Sequence, residues 1–304
     1  MPQKETMEQT KDNITTEEIL LSDGDLTAIA DPFGARIKQL CYKGTEVGRD
    51  GITVGRYANR IKDAKLWIKG KCFELSANED GNCLHGGAEG FDRRTWDCTL
   101  IENTCSKGAE AAPNRAEFCL VSKDGDQGFP GRLQVIVRYT LSENSLIIDY
   151  EAVSDSDTVI NLTNHTYFNL NGKGSPEDHI LKIDAESITQ TGPGLIPTGR
   201  FIKVFGTRFD YTSPRQFQGP HDENYVLCGE GFRKAACLIG TQSGIRMEVL
   251  TDQPGLQLYN TEDAVCLETQ HFPDSPNHSD FPATLLEAGT VFRSRTAYKF
   301  SQNT

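Results

Sequence analysis

No apolar run in this 304-residue sequence approaches the roughly 18 residues that a membrane span requires. The first residues, MPQKETMEQTKDNITTEE, lack the apolar stretch of a secretory signal, and residues 1–13 are expected to form a loose polar tail. Basic residues are in deficit. Thirty-one Lys and Arg stand against 43 Asp and Glu, a net charge of −12, without the basic surplus that a nucleic-acid or anionic-membrane partner would require. The nine cysteines are odd in number and form no C-x-x-C pair, so neither a disulfide framework nor a zinc site is suggested. Cys119 and Cys266 sit in apolar runs and are expected to be small core residues, and a reducing cytosol is the expected compartment. Also missing are G-x-G-x-x-G after a strand, G-x-x-x-x-G-K-[ST], H-E-x-x-H and G-x-S-x-G. The six histidines show no metal-ligand spacing. A nucleotide, a zinc ion and a serine nucleophile are therefore all unsupported. No amphipathic helix of about twelve residues or more stands out.

What is present is alternation. Leu133, Val135, Val137 and Tyr139 alternate with Arg132, Gln134 and Arg138. Ile148, Tyr150 and Ala152 alternate with Asp149 and Glu151, and Leu181, Ile183 and Ala185 with Lys182, Asp184 and Glu186. A period of two is the signature of half-buried antiparallel strands. Turn pairs such as Asp124-Gly125, Pro130-Gly131, Asn171-Gly172 and Pro193-Gly194 separate them. Many short strands with regular turns predict an all-β fold, a large antiparallel β-sandwich forming one domain over residues 14–304. Asn161, Asn164 and Asn277 head N-x-S/T sequons, which read as accidental in a chain without a signal.

Residues 161–172, NLTNHTYFNLNG, predict a strand with Asn161, Thr163, His165, Tyr167 and Asn169 on one face. That face is rich in hydrogen-bonding groups and carries no carboxylate or ammonium. His165 could exchange a proton near neutral pH or belong to a buried polar network. In VCLETQHF, Glu268 shares a face with Cys266 and Gln270. A desolvated carboxylate there would serve as a general base, and the alternative is a salt bridge to an arginine. GRYANRI places Arg56 and Arg60 four residues apart with Asn59 beside Arg60, either as forks for carboxylates or vicinal hydroxyls or as ordinary surface arginines. NCLHGG puts His85 on a tight loop. HDENYVL and PGLQLYN offer Asp222 and Gln257, each weak alone.

Taken in chain order, GRYANRI, LHGGAEGFDRRTW, GFPGRL, NLTNHTYFNLNG, LIPTGR, GLQLYN and CLETQHFPDSPN resemble the aldose 1-epimerases, or galactose mutarotases, from about residue 20 to the end. The resemblance implies a galactose mutarotase-like supersandwich that interconverts the anomers of free aldohexoses such as galactose and glucose without a cofactor. It implies His165 as general acid and Glu268 as general base. Asn59, Arg60 and His85 would contact sugar, Asp222 and Gln257 would hold hydroxyls, and Tyr167 would line the pocket. The partner is then a small aldohexose, and the chain a monomer or weak homodimer. Ring opening delivers a proton to the ring oxygen while another leaves the C1 hydroxyl, so an acid and a base are expected on opposite sides of the hemiacetal.

The sequence also departs from the family's pattern. LCYKGTEVGRDGITV and the stretch between Gln257 and Glu268 are shorter than usual, which would open the rim or alter substrate preference. Glu223 follows Asp222 where a His is common, and is expected to add negative charge near the site. Alternatives of other classes are a sugar-binding protein without turnover and a hexose-6-phosphate 1-epimerase. The latter would need a basic cluster. Glycoside hydrolysis would need two flanking carboxylates, and the acid position here is a His.

Overall fold

The computed structural model describes residues 14, 15, 17–101 and 112–302; the expected tail and Cys105 lie outside the described residues. Among the described residues, two ten-stranded antiparallel sheets face each other across one apolar core. The strands of the sheet that carries the site are β1 (Ile19–Asp23), β2 (Leu26–Asp31), β3 (Arg36–Tyr42), β4 (Thr45–Gly51), β5 (Tyr167–Phe168), β6 (Ala185–Thr191), β7 (Pro197–Lys203), β8 (Asp222–Leu227), β9 (Gly255–Asn260) and β10 (Val265–Gln270). Their spatial order is β1-β2-β3-β4-β5-β10-β9-β8-β6-β7. The second sheet is built around Leu133–Ser142, Ser145–Ser154 and Val291–Gln302. Among the described residues the helical pieces are three-residue 3₁₀ turns, and no described helix is long and apolar enough to cross a membrane.

Alternation explains why these strands stack. Leu133, Val135, Val137 and Tyr139 point into the core while Gln134 and Arg138 are half-exposed, as expected. On the site sheet, Leu256, Leu258, Val265, Leu267 and Phe168 point to the same core. Each such side chain contributes about 1.5–3 kcal/mol by burial. The Phe168 and Tyr298 rings join the sheets at a centroid distance of 4.8 Å. The Tyr298 hydroxyl donates to the Leu267 carbonyl at 3.1 Å, and the Thr269 and Thr296 hydroxyls are 2.5 Å apart. Both neighbours of Glu268 are thus tied to the second sheet.

Three sequence expectations need correction here. Leu181–Glu186 is two strands: His179–Ile183 belongs to the second sheet and β6 to the first, with a bend at Asp184. Leu181, Ile183 and Ala185 are all buried because both sheets face one core, so the alternation runs through the bend. Residues 161–172 are not one strand either, since only Thr163–Asn164 and Tyr167–Phe168 join ladders. Asn161 donates to the Ala58 and His271 carbonyls, Asn164 to Gly51, and Asn169 to Gly174 and Asp263; such side-chain bonds compete with ladder formation. Cys266 is buried, but Cys119 is only half-buried, on the outer face of its strand.

Arg56 is structural. It is 2% exposed, and its guanidinium donates to the Pro130 and Gly131 carbonyls at 2.7 and 3.0 Å and to the Ser122 hydroxyl at 2.7 Å. Burial pushes its pKa down to about 10, against the pull of Asp126 and Asp124. Arg56→Met strands those carbonyls and is expected to destabilise the fold by about 3 kcal/mol or more. Urea unfolding checks this: the midpoint should fall well below that of the parent protein.

Candidate active site

One face of the central strands supplies the core, so the other is free to carry polar groups. The registers set two rows across it. Asn224, Gln257 and Glu268 are consecutive partners across β8, β9 and β10. Asp222, Tyr259, Cys266 and Tyr167 form the next row, across β8, β9, β10 and β5. Across the rows, Gln257 Nε2 donates to Asp222 Oδ1 at 2.6 Å. The stretch between Gln257 and Glu268 closes as a hairpin, with Thr261 N–H donating to the Ala264 carbonyl at 3.0 Å.

Two loops complete the site opposite this face. Arg60–Ile61 pairs with Cys83–Leu84, bringing GRYANRI beside LHGG. Gly86, at φ +85°, crosses so close to Gly55 that a Cβ would stand 2.1 Å from its carbonyl oxygen. Asn59, at φ +64°, takes the left-handed conformation that Asn tolerates, and its Oδ1 accepts from the Arg60 N–H at 2.9 Å. The Asn59 N–H donates to His85 Nδ1 at 3.1 Å. That contact makes Nδ1 an acceptor, so neutral His85 carries its proton on Nε2. Burial, then the His165 and Arg60 charges, push the His85 pKa down to about 3. His85 is therefore a neutral donor.

Arg60 is gripped by Glu79 through Nε at 2.6 Å and a second nitrogen at 2.8 Å, and its remaining nitrogen lies 3.9 Å from Asp222 Oδ2. Arg60 is thus paired with Glu79, which leaves Glu268 to His165: His165 Nε2 lies 3.5 Å from Glu268 Oε1. The two groups are neighbours and do not stand on opposite sides of a gap, which corrects the expected arrangement. The ring and C1 oxygens of a hemiacetal share one carbon, so adjacent groups can reach both. The His165 ring packs against Tyr167 at 4.9 Å, His85 at 5.9 Å and Tyr259 at 6.0 Å.

Glu268 is 2% exposed, and burial raises its pKa, opposed by the His165 and Arg60 charges and reinforced by Asp222. Burial raises the Asp222 carboxyl too, with Arg60 opposing. Burial also holds the Tyr167 and Tyr259 phenols above their ordinary range, so both remain neutral. His165 Nδ1, Gln257 Oε1 and Glu268 Oε2 have no hydrogen-bond partner among the described residues. An unmet buried polar atom costs about 1–3 kcal/mol, so these atoms favour a hydroxyl-bearing ligand. No three His, Cys, Asp or Glu side chains group to hold a metal among the described residues.

Asn59, Arg60, His85, His165, Tyr167, Asp222, Gln257 and Glu268 all contribute to this one region. Arg56, Asn161 and Asn169 do not, because backbone carbonyls occupy their donors. Glu223 turns to the opposite face of β8 and pairs with Arg208 and His221, and its negative charge still helps to raise the Asp222 carboxyl, as expected of a charge near the site. Sequence reasoning missed Tyr259, legible as the same-face neighbour of Gln257, and Glu79, which has no local signal.

The aldose 1-epimerase family model matches residues 17–299. Galactose mutarotase from Mus musculus is 37% identical over 282 residues, covering 83% of this chain and 78% of that protein. Aldose 1-epimerase from Escherichia coli is 34% identical over 284 residues, covering 82% and 79%. An aldose epimerase homologue from C. elegans superposes with a TM-score of 0.86 at 26% identity, covering 95% of this chain and 100% of that one. Galactose 1-epimerase from Lactobacillus acidophilus gives 0.82 at 25% identity, covering 98% of each. Fold, motif order and family match agree, and the chain belongs to the aldose 1-epimerase family.

Proposed function

We propose that this protein is an aldose 1-epimerase that interconverts the α and β anomers of free aldohexoses such as galactose and glucose. His165 is the general acid and Glu268 the general base. The observation that carries this reading is the buried His165–Glu268 pair at 3.5 Å, set among neutral hydrogen-bonding groups. The His165 imidazolium gives its proton to the ring oxygen while Glu268 takes the C1 hydroxyl proton. The C1–O bond of the ring breaks and a free aldehyde forms. Rotation about C1–C2 presents the other carbonyl face. On reclosure the C5 hydroxyl attacks, His165 takes its proton back, and Glu268 returns its own to the new C1 oxygen. The side chains end as they began.

Asp222, Gln257, Arg60, Asn59 and His85 hold the sugar hydroxyls, and Tyr167 lines the pocket. A neutral sugar suits this set better than a phosphorylated one, because Glu79 already pairs Arg60 and Asp222 adds negative charge. A polarimetric comparison of α-D-galactose with a hexose 6-phosphate tests this. Preference for the phosphate would overturn the neutral-sugar assignment.

The pH dependence follows from the roles. Glu268 works only as the carboxylate, and its pKa is raised. The acid limb of kcat/KM is therefore expected above the ordinary glutamate value of about 4.3. His85, at about 3, does not give rise to that limb. A profile with no acid limb above about pH 4 would contradict the Glu268 role.

A further inference from the structure

We propose that Glu223, joined to His221 and Arg208, is the positioning residue for Asp222; this rests on the reading that Asp222 holds sugar hydroxyls. Asp222 begins β8, and the sheet supports it on one side only. On the β9 side it partners Tyr259, but on the β6 side the ladder runs from Ala185–Leu227 only as far as Ile188–Tyr225. Among the described residues, three residues of β8 are thus without a strand on that side, and Asp222 is the outermost.

Glu223 supplies the missing support from the opposite face. Its Oε2 accepts the backbone N–H of Asp222 at 3.1 Å and lies 2.7 Å from His221 Nδ1. Its Oε1 accepts from Arg208 at 2.8 Å. The cluster continues outward. Arg208 also donates to the Pro220 carbonyl at 2.6 Å, the His221 N–H donates to Asn260 Oδ1 at 2.8 Å, and His221 Nε2 sits 3.1 Å from the Tyr211 hydroxyl. The His221 side chain is fully buried among Phe209, Tyr211 and Phe217, so it cannot swing away. The segment 220–223 is fixed by these bonds in place of a neighbouring strand. With it is fixed the direction in which Asp222 meets Gln257 and Arg60. Glu223 touches neither His165 nor Glu268 in any of these bonds, so its effect belongs to sugar binding and not to proton transfer.

The test is kinetic and thermodynamic together. Polarimetry gives kcat, KM and the acid limb, and calorimetry gives the galactose Kd, for the parent protein and for Glu223→Ala, Glu223→Gln and Arg208→Ala. Glu223→Ala is expected to raise KM and Kd about tenfold, with kcat within about twofold and the acid limb unmoved. Glu223→Gln keeps an oxygen for the Asp222 N–H but loses the charge, so it recovers part of the loss, at about threefold. Arg208→Ala removes a half-exposed partner and is expected to cost about twofold. If Glu223→Ala fails to fold, the Gln and Arg208 variants decide in its place. Parent-like KM and Kd in the folded variants, or a loss confined to kcat with a displaced acid limb, would overturn the proposal. Because Kd is read separately, a parent protein that binds galactose without turning it over would remove the epimerase reading while the Kd series still judges Glu223. A parent protein that binds no sugar would remove both.

Discussion

Glu268→Gln is expected to slow mutarotation of α-D-galactose by about 10²–10⁴-fold in kcat/KM, the range of one positioned acid–base group. The substitution is nearly isosteric. It keeps a hydrogen-bonding oxygen beside His165 but cannot accept the C1 hydroxyl proton. The strand that carries position 268 is held by Tyr298 through the Leu267 carbonyl and by Thr296 through Thr269, so the change does not move its neighbours. Removing a buried carboxylate also removes a desolvation cost, and thermal unfolding of the variant should match or exceed that of the parent. Progress curves of optical rotation and a melting curve check the two halves. A fall in activity that tracks a collapse in stability would speak for a structural role instead.

His165→Gln is expected to lose activity on the same scale, about 10²–10⁴-fold, for the complementary reason. Glutamine can donate a hydrogen bond from that position but cannot deliver a proton to the ring oxygen. His165 also fills the space between Tyr167, His85 and Tyr259, so alanine would remove packing along with the acid, and Gln is the cleaner substitution. Polarimetric pH profiles separate the partners. The Glu268 variant should lose the acid limb, and the His165 variant should keep it. On the proposed reading the two act on one ring opening, and the double variant should then be little slower than the worse single one. Losses that multiply would show two independent functions.

The back of the sandwich was legible in the sequence because each strand there meets one core and one solvent. Residues 133–139 and 148–152 therefore alternate, and they are strands. The bend at Asp184 was hidden because leaving one sheet for the other did not change which side was buried. Asparagines misled most in 161–172. An amide committed to a backbone carbonyl, as in Asn161 and Asn169, has the same alternation as one that would face a ligand. The arginines were ambiguous for a similar reason. Arg56 and Arg60 are alike locally, and only distant partners, Pro130 and Gly131 for one and Glu79 for the other, separate them. Convergence of residues from 59 to 268 depends on register, above all on Gln257 lying directly opposite Glu268, and no local pattern encodes that pairing.

On the proposed reading, the His165–Glu268 pair opens and recloses a hemiacetal. The most direct test of this claim is the optical rotation of freshly dissolved crystalline α-D-galactose at neutral pH, followed with the parent protein, with Glu268→Gln, with His165→Gln and without protein. Faster approach to the same final rotation with the parent, lost in both variants, is the predicted result. A parent curve that overlays the protein-free one for both galactose and glucose, from protein shown to bind the sugar, would contradict the claim and leave a sugar-binding sandwich without turnover.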